Sequence, residues 1–246
     1  QGRASAQYRL GVMYQSGTGT PKDEVKAVEW FSKSAEQGNA SAQLQLGAMY
    51  QLGRGITKDE AKAMEWYRKS AEQDDNGAQY LLGLMYQAGG TGIAKDEAKA
   101  VEWFKKSADA GRADAMMEIG VKYYNGVGVE KDQSKAHEWF LKSANAGNSI
   151  AMYNLGIMYA NGQGTAKDEV KAVEWYRKAA EQNYSIAQYQ LGAMYQNGTG
   201  ITKDAIKAVE WYRKAAEQNY SIAQYNLGVM YQTGTGIAKD EVKAVE

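Results

Sequence analysis

Apolar and small residues recur along this chain about three to four positions apart, which is the spacing of an amphipathic helix and not of a β-strand. Around Leu10, at about 100° per residue, one face of the first such segment collects most of them. Its members are Ala6, Gln7, Leu10, Gly11, Met13 and Tyr14. The pattern predicts a helix, which we call helix A, that buries this face and lets a neighbouring helix approach closely at its small residues.

A second helical segment, helix B, follows a glycine-rich turn. Gly17 predicts the end of helix A, because glycine takes the left-handed conformation after a helix without steric cost. Asp23 is placed to cap helix B, and Glu24 follows where the helix dipole favours an acid. The face of helix B predicted to be buried contains Ala27, Trp30, Phe31, Ser34 and Ala35.

This helix pair is repeated. The tryptophans lie at Trp30, Trp66, Trp103, Trp139, Trp175 and Trp211, at intervals of 36, 37, 36, 36 and 36 residues. Seven repeats begin near Gly2, Gly38, Asp74, Gly111, Gly147, Asn183 and Asn219. Two short helices cannot bury a Trp and a Tyr alone, so neighbouring repeats must stack. The sequence predicts an all-α solenoid of about seven 36-residue helix-turn-helix repeats.

The repeated positions resemble those of Sel1-like repeat proteins, which are relatives of the tetratricopeptide repeat. The sixth repeat carries the pattern at Ala187, Leu191, Gly192, Tyr195, Gly198, Gly200, Asp204, Lys207, Ala208, Trp211, Tyr212, Lys214, Ala215 and Ala216. The resemblance covers the whole chain. It implies a right-handed superhelix with the A helices lining its concave side, and a role as an adaptor that holds other proteins together. Some secreted members carry a disulfide in each repeat, whereas this chain has no cysteine.

Composition narrows the possible functions. Lys plus Arg and Asp plus Glu each number 29 among 246 residues, so the basic excess of a general nucleic-acid binder is missing. The lack of Cys and the single histidine, His137, exclude thiolate sites and sites that need two imidazoles. No apolar run approaches the roughly 20 residues that span a bilayer. We therefore expect no metal, no cofactor and no membrane span, and the compartment stays open between cytoplasmic and secreted or periplasmic.

Residues that suggest chemistry have simpler explanations in this pattern. His137 stands where other repeats have Val28 or Met64, so it is interpreted as a substituted packing position. Paired acids such as Asp23 and Glu24 recur at helix starts, where capping accounts for them. Gly-x-Gly follows a helix, which is the wrong context for a dinucleotide loop. We expect no enzymatic activity.

The side of helix A opposite its predicted core is the informative surface. Tyr8 and Val12 project about 140–220° from Leu10, yet they are aromatic or apolar. In the family's geometry this side lines the concave groove. Such side chains either pack between adjacent A helices or form a partly exposed ladder that marks a binding surface. The predicted binding set is Tyr8, Val12, Tyr80, Leu84, Met117, Val121, Tyr124, Tyr153, Ile157, Tyr189 and Tyr225.

The fourth repeat differs most from the others. Tyr124 stands where other repeats have Gln15 or Gln51, on the same side of its helix as Met117 and Val121. In a repeated chain, positions that depart from the common residue have either drifted or adapted to a partner, and the sequence leaves both explanations open.

The sequence therefore predicts a non-enzymatic scaffold that binds a protein or peptide along the concave face. The alternative is a carbohydrate-binding envelope protein whose tyrosines stack on sugar rings. We expect residues 1–246 to be one array that is truncated at both ends, since 36 residues after Trp211 is position 247. The protein is expected to be a monomer or to associate weakly end to end.

Overall fold

A computed structural model describes residues 2–244, and within that range it consists of helices joined by short loops. The A helices are α1 (Gly2–Ser16), α3 (Ala40–Leu52), α5 (Asn76–Ala88), α7 (Ala113–Asn125), α9 (Ser149–Asn161), α11 (Ser185–Asn197) and α13 (Ser221–Thr233). The B helices are α2 (Glu24–Ala35), α4 (Glu60–Ala71), α6 (Glu97–Asp109), α8 (Gln133–Asn145), α10 (Glu169–Glu181) and α12 (Ala205–Glu217). The predicted all-α solenoid of seven repeats is confirmed.

The helix ends follow the predicted chemistry, as the second repeat shows. Gly53 ends α3 in the left-handed conformation, with a φ of 68°. The Asp59 side chain caps α4 by accepting a hydrogen bond of 2.9 Å from the backbone N–H of Lys62. The backbone N–H of Asp59 donates to the carbonyl of Tyr50 at 2.9 Å, which fixes the loop between the two helices. In this repeat the sequence alone therefore sets where helix A ends and where helix B begins.

The core face of helix A is also confirmed in the internal repeats. In α3 the buried residues are Ala42, Gln43, Leu46, Gly47 and Met49. A Cβ atom at Gly47 would lie 2.6 Å from the Tyr67 ring, so only glycine lets the aromatic residue of helix B reach this depth. In α1 the equivalent Met13 is 36% exposed.

The prediction for tryptophan on helix B was only partly right. Phe31, Ala27 and Ala35 are buried as expected, but Trp30 is half-buried at the edge of the helix pair. The Nζ atom of Lys33 lies 4.5 Å from the centre of the Trp30 ring, in a cation–π contact. The same contact recurs in the next five repeats, from Lys69 over Trp66 to Lys214 over Trp211. The deepest aromatic position is the residue after each tryptophan.

Neighbouring repeats meet at the loop that joins helix A to helix B. Gly55 has a φ of 66°, and a Cβ atom there would collide with the carbonyl group of Glu24 at the start of the preceding helix B. Gly200 and Gly236 stand in the same relation to Glu169 and Ala205. At these positions the second glycine of the loop is therefore needed for stacking as well as for the turn.

The chain divides into two compact units. The first contains Gln1–Ala115 and Gly126–Glu130, and the second contains Met116–Asn125 and Lys131–Glu246. Leu46, Leu82 and Phe31 belong to the core of the first unit, while Leu155, Leu191 and Tyr212 belong to that of the second. Over residues 2–244, none of the helices combines the length and the apolar character required to cross a bilayer.

Candidate functional site on the A helices

Four of the five predicted tyrosines at the Tyr8 position of helix A pack against helix B of their own repeat. The Tyr153 ring centre lies 5.6 Å from that of Tyr176 on helix B and 5.5 Å from that of Tyr184 at the start of the next A helix. Tyr8, Tyr80 and Tyr189 contact Phe31, Phe104 and Tyr212 in the same way, at 5.8, 5.7 and 5.6 Å. All four are half-buried. Tyr225 is 71% exposed, because no helix B follows α13 within the described residues.

The tyrosine row is thus mainly a packing feature, though of a kind the sequence did not specify. The sequence left open whether these side chains pack between adjacent A helices or form a partly exposed ladder. Each of the four rings rests on the aromatic residue of helix B in its own repeat. Tyr153 and Tyr189 also contact Tyr184 and Tyr220 at the start of the next A helix. Edge-to-face and tilted aromatic pairs of this type contribute about 0.5–1.5 kcal/mol beyond the area that they bury.

The remaining predicted residues are aliphatic apart from Tyr124, and all are half-buried: Val12, Leu84, Met117, Val121, Tyr124 and Ile157. In the second unit, Val121, Tyr124 and Ile157 lie together around one groove. Met117 packs against the core of that unit and does not line the groove.

The groove lies between α7 and α9 and has a volume of about 210 Å³. Its lining consists of Val121, Tyr124, Asn125, Phe140, Asn154, Ile157 and Met158. Phe140 and Met158 are buried at 3% and 1% exposure, so their side chains form an apolar floor. Asn125 and Asn154 add amide groups that can both donate and accept hydrogen bonds.

The hydrogen bond made by the tyrosine hydroxyl next to the groove differs from the one found in the sixth repeat. In the sixth repeat, the Tyr212 hydroxyl donates to Gln196 Oε1 at 2.7 Å, and burial raises the pKa of Tyr212 to about 12, so this hydroxyl stays protonated. In the fourth repeat the equivalent of Tyr212 is Phe140, which has no hydroxyl. Tyr124 occupies the glutamine position, and its own hydroxyl donates to Gln163 Oε1 at 3.0 Å.

His137 takes a packing position, as its substitution for valine predicts. Its ring lies edge-on to that of Tyr159, with 5.2 Å between the centres. Burial lowers the pKa of His137, which keeps the imidazole neutral. Among the described residues there is no cluster of three or more His, Cys, Asp or Glu side chains arranged to hold a metal ion.

Sequence reasoning missed the polar part of the groove. Asn154 was not among the predicted residues, although its position varies between repeats, with Gln45, Leu81 and Gln190 as counterparts. That variability was the available signal, since a position required for folding would agree between repeats. Lys122 is 4% exposed, at the position where the second and fifth repeats bury Met49 and Met158.

Comparison with known proteins now adds to this geometry. A family model described as Sel1 repeat matches residues 4–39, 40–75, 77–111, 113–148, 149–184, 185–220 and 221–246. A comparison with curated proteins finds no match.

Two of the solved structures that resemble this chain match it over 98% of its length. One is c5321, a protective antigen of uropathogenic Escherichia coli strains, at 38% identity and a TM-score of 0.94 over 98% of this chain. This chain spans about half of c5321, covering 52% of it. The other is a Sel1 repeat protein from Oxalobacter formigenes, at 33% identity and a TM-score of 0.86, with 98% of this chain and 70% of that one covered.

Proposed function

We propose that this chain, which belongs to the Sel1 repeat family, is a non-enzymatic scaffold that binds a segment of a partner protein along its A helices. Sel1 repeat proteins are generally protein-interaction scaffolds. In the second unit the contact would centre on the groove between α7 and α9.

The observation that carries this proposal is the composition of that groove. Val121, Ile157 and the Tyr124 ring offer apolar contact to a side chain of the partner, above a floor that is already buried. Asn125 and Asn154 can bond to the partner's backbone, because an amide matches both the N–H and the C=O of a peptide group. An apolar pocket with a few convergent polar groups is the usual form of a recognition site.

The carbohydrate alternative has less support. Stacking on sugars needs free aromatic faces, whereas the rings of Tyr8, Tyr80, Tyr153 and Tyr189 are half-buried against other aromatic rings. Tyr225 alone of the five is largely exposed. A single ring does not make a row of stacking platforms.

Peptide display on the intact chain would supply a measurable ligand. A peptide selected on the wild type is expected to lose at least about tenfold in affinity, or about 1.4 kcal/mol, when Val121→Ala is combined with Tyr124→Ala. Tyr124→Gln alone, which restores the residue found at Gln51, should also weaken binding while keeping the fold.

Val229→Ala is the matched control for the groove. Val229 occupies the same position of helix A as Val121, in the same unit but outside the groove. Val121→Ala should lower the affinity for the selected peptide, and Val229→Ala should leave it unchanged. Equal affinities for the wild type and all groove variants, with unchanged circular dichroism, would remove the groove from the proposal.

A further inference from the structure

A glutamine pair recurs where the end of helix B meets the start of helix A in the same repeat. In the second repeat Gln43 is 5% exposed, and its Nε2 donates to the carbonyl of Ala35 at 3.1 Å. This bond fixes the amide orientation, so that Gln43 Oε1 accepts a hydrogen bond of 2.7 Å from Nε2 of Gln73. Gln218 donates to Gln188 Oε1 in the sixth repeat at the same distance of 2.7 Å. Each buried acceptor is therefore satisfied by an N–H from the end of helix B.

The third repeat keeps the acceptor and lacks this donor. Gln79 is 3% exposed, and its Nε2 donates to the carbonyl of Ala71 at 3.2 Å, as Gln43 does to Ala35. The position of Gln73 and Gln218 is held here by Ala110, whose side chain cannot donate. Gln79 Oε1 is consequently buried without a hydrogen-bond partner among the described residues. A buried acceptor left in this state destabilises the fold, because it has lost its hydration and no donor replaces it.

Gln79 is one of the residues that line an open cavity of about 570 Å³ within the first unit. Its lining consists of Ala71, Glu72, Asp74, Gln79, Lys106, Asp109 and Ala110. Three carboxylates thus face the cavity against one ammonium group. That ammonium, Lys106 Nζ, lies 4.2 Å from the centre of the Trp103 ring. The cavity is rich in acceptors and negatively charged.

The sixth repeat shows which donor occupies the equivalent place there, namely a side-chain amide nitrogen. There Gln218 Nε2 donates both to Gln188 Oε1 and to Asn183 Oδ1, the second at 3.1 Å. Asp74 is the counterpart of Asn183, and both have a left-handed backbone, with φ values of 61° and 64°. In the third repeat the same two acceptor positions are therefore a glutamine amide oxygen and a carboxylate.

The fourth repeat shows that alanine alone does not create this situation. There Met116 and Ala146 occupy the positions of Gln79 and Ala110. A methionine needs no donor, so an alanine opposite it leaves nothing unsatisfied. In the third repeat a glutamine faces the alanine instead.

We propose that this cavity binds a primary ammonium group, whose N–H donors bond to Gln79 Oε1 and the Asp74 carboxylate in place of the missing glutamine amide. A cation is favoured over a neutral amide because a carboxylate replaces the asparagine, and because Glu72 and Asp109 add negative charge. The group belongs either to a lysine side chain of a partner protein or to a small aliphatic polyamine. This site does not depend on the groove of the second unit.

Isothermal titration and side-chain amide NMR of the full chain test the proposal with two probes, 1,4-diaminobutane and N-acetyl-lysine methylamide. Both should bind and should shift the Gln79 side-chain amide signal, whereas N-acetyl-norleucine methylamide, which lacks the ammonium, should do neither. Tighter binding of the lysine probe assigns the site to a partner's side chain. Tighter binding of the diamine assigns it to a polyamine.

Three variants copy residues that the chain already carries at equivalent positions, so each should fold. Ala110→Gln supplies the missing donor and Gln79→Met removes the acceptor, and each should lower the affinity for the better probe at least about tenfold. Ala110→Gln should also raise the melting temperature. Asp74→Asn should weaken binding less and reduce its dependence on salt.

Two results would overturn the proposal. One is the lack of any Gln79 shift in the wild type at millimolar amine, which would mean that water alone fills the cavity. The other is an amine affinity that Ala110→Gln leaves unchanged in a folded protein, because the ammonium would then bind elsewhere.

Discussion

The fourth and sixth repeats contain the same pair of packed helices but differ in the hydrogen bonds that the aromatic residues of that pair make. Ile119 and Leu191 are both fully buried, and the glycine that follows each lets an aromatic ring of helix B reach the A helix. The sixth repeat adds a hydrogen bond from Tyr212 to Gln196 across the two helices. In the fourth repeat Phe140 cannot make that bond, and Tyr124 bonds to the loop residue Gln163 instead.

This difference separates two kinds of position. Leucine, glycine and the capping aspartate recur because every repeat must bury the same face and end its helices at the same place. The pair formed by Gln196 and Tyr212 is a local link that a repeat can replace. In the fourth repeat, where Tyr124 and Phe140 replace this pair, both residues line the groove between α7 and α9.

The largest effect is expected in the shared core. Leu191→Ala should lower the free energy of unfolding by about 2–5 kcal/mol, since it leaves a cavity beneath Tyr212. Val121→Ala, on the half-buried side of the fourth repeat, should cost under about 1.5 kcal/mol. Urea unfolding of both variants measures the two values. A greater loss at Val121 than at Leu191 would reverse the assignment of helix faces.

The helix caps should respond alike in the two repeats. Asp132→Ala and Asp204→Ala each remove a side chain that accepts from a backbone N–H at the start of helix B. Each should cost about 1 kcal/mol, within a range of about 0.5–2. Asparagine at either position should retain most of the stability. Thermal unfolding compares the four variants, and unequal losses for the two alanines would mean that the fourth repeat has changed more than its groove.

A double-mutant cycle tests whether the link can be transferred. Tyr124→Gln combined with Phe140→Tyr rebuilds, in the fourth repeat, the pair found at Gln196 and Tyr212. The double variant should be more stable than the sum of the single variants predicts, by about 0.5–1.5 kcal/mol. Strict additivity in urea unfolding would show that the rebuilt residues do not contact each other.

The smallest expected effect is the pH response of His137, whose counterpart in the sixth repeat is Val209. Because burial lowers the pKa of His137 in the folded chain, the unfolded chain binds the proton more tightly. The histidine's contribution to stability is therefore present above its unfolded pKa of about 6.5 and is lost as the pH falls towards the folded value. His137→Val should remove that increment, which unfolding at about pH 8 and about pH 5 would measure. An identical pH dependence in the wild type and the variant would contradict it.

The sequence by itself determined the repeat, its helix ends and its buried face. Leu46, Gly53 and Asp59 act within one or two helical turns, and spacing is enough to assign such local roles. It also identified Val121, Tyr124 and Ile157, because their side of the helix follows from the same periodicity.

Only the tertiary structure decided which of these side chains pack against another helix and which remain available to line a groove. Tyr153 and Ile157 both lie on the predicted binding side of α9, yet Tyr153 rests on Tyr176 while Ile157 lines the groove. Likewise, nothing local to Gln79 shows that its acceptor lacks a donor, because the residue that decides it, Ala110, is 31 positions away. Helical periodicity fixes the direction in which a side chain points, but what it meets there depends on helices brought alongside by folding.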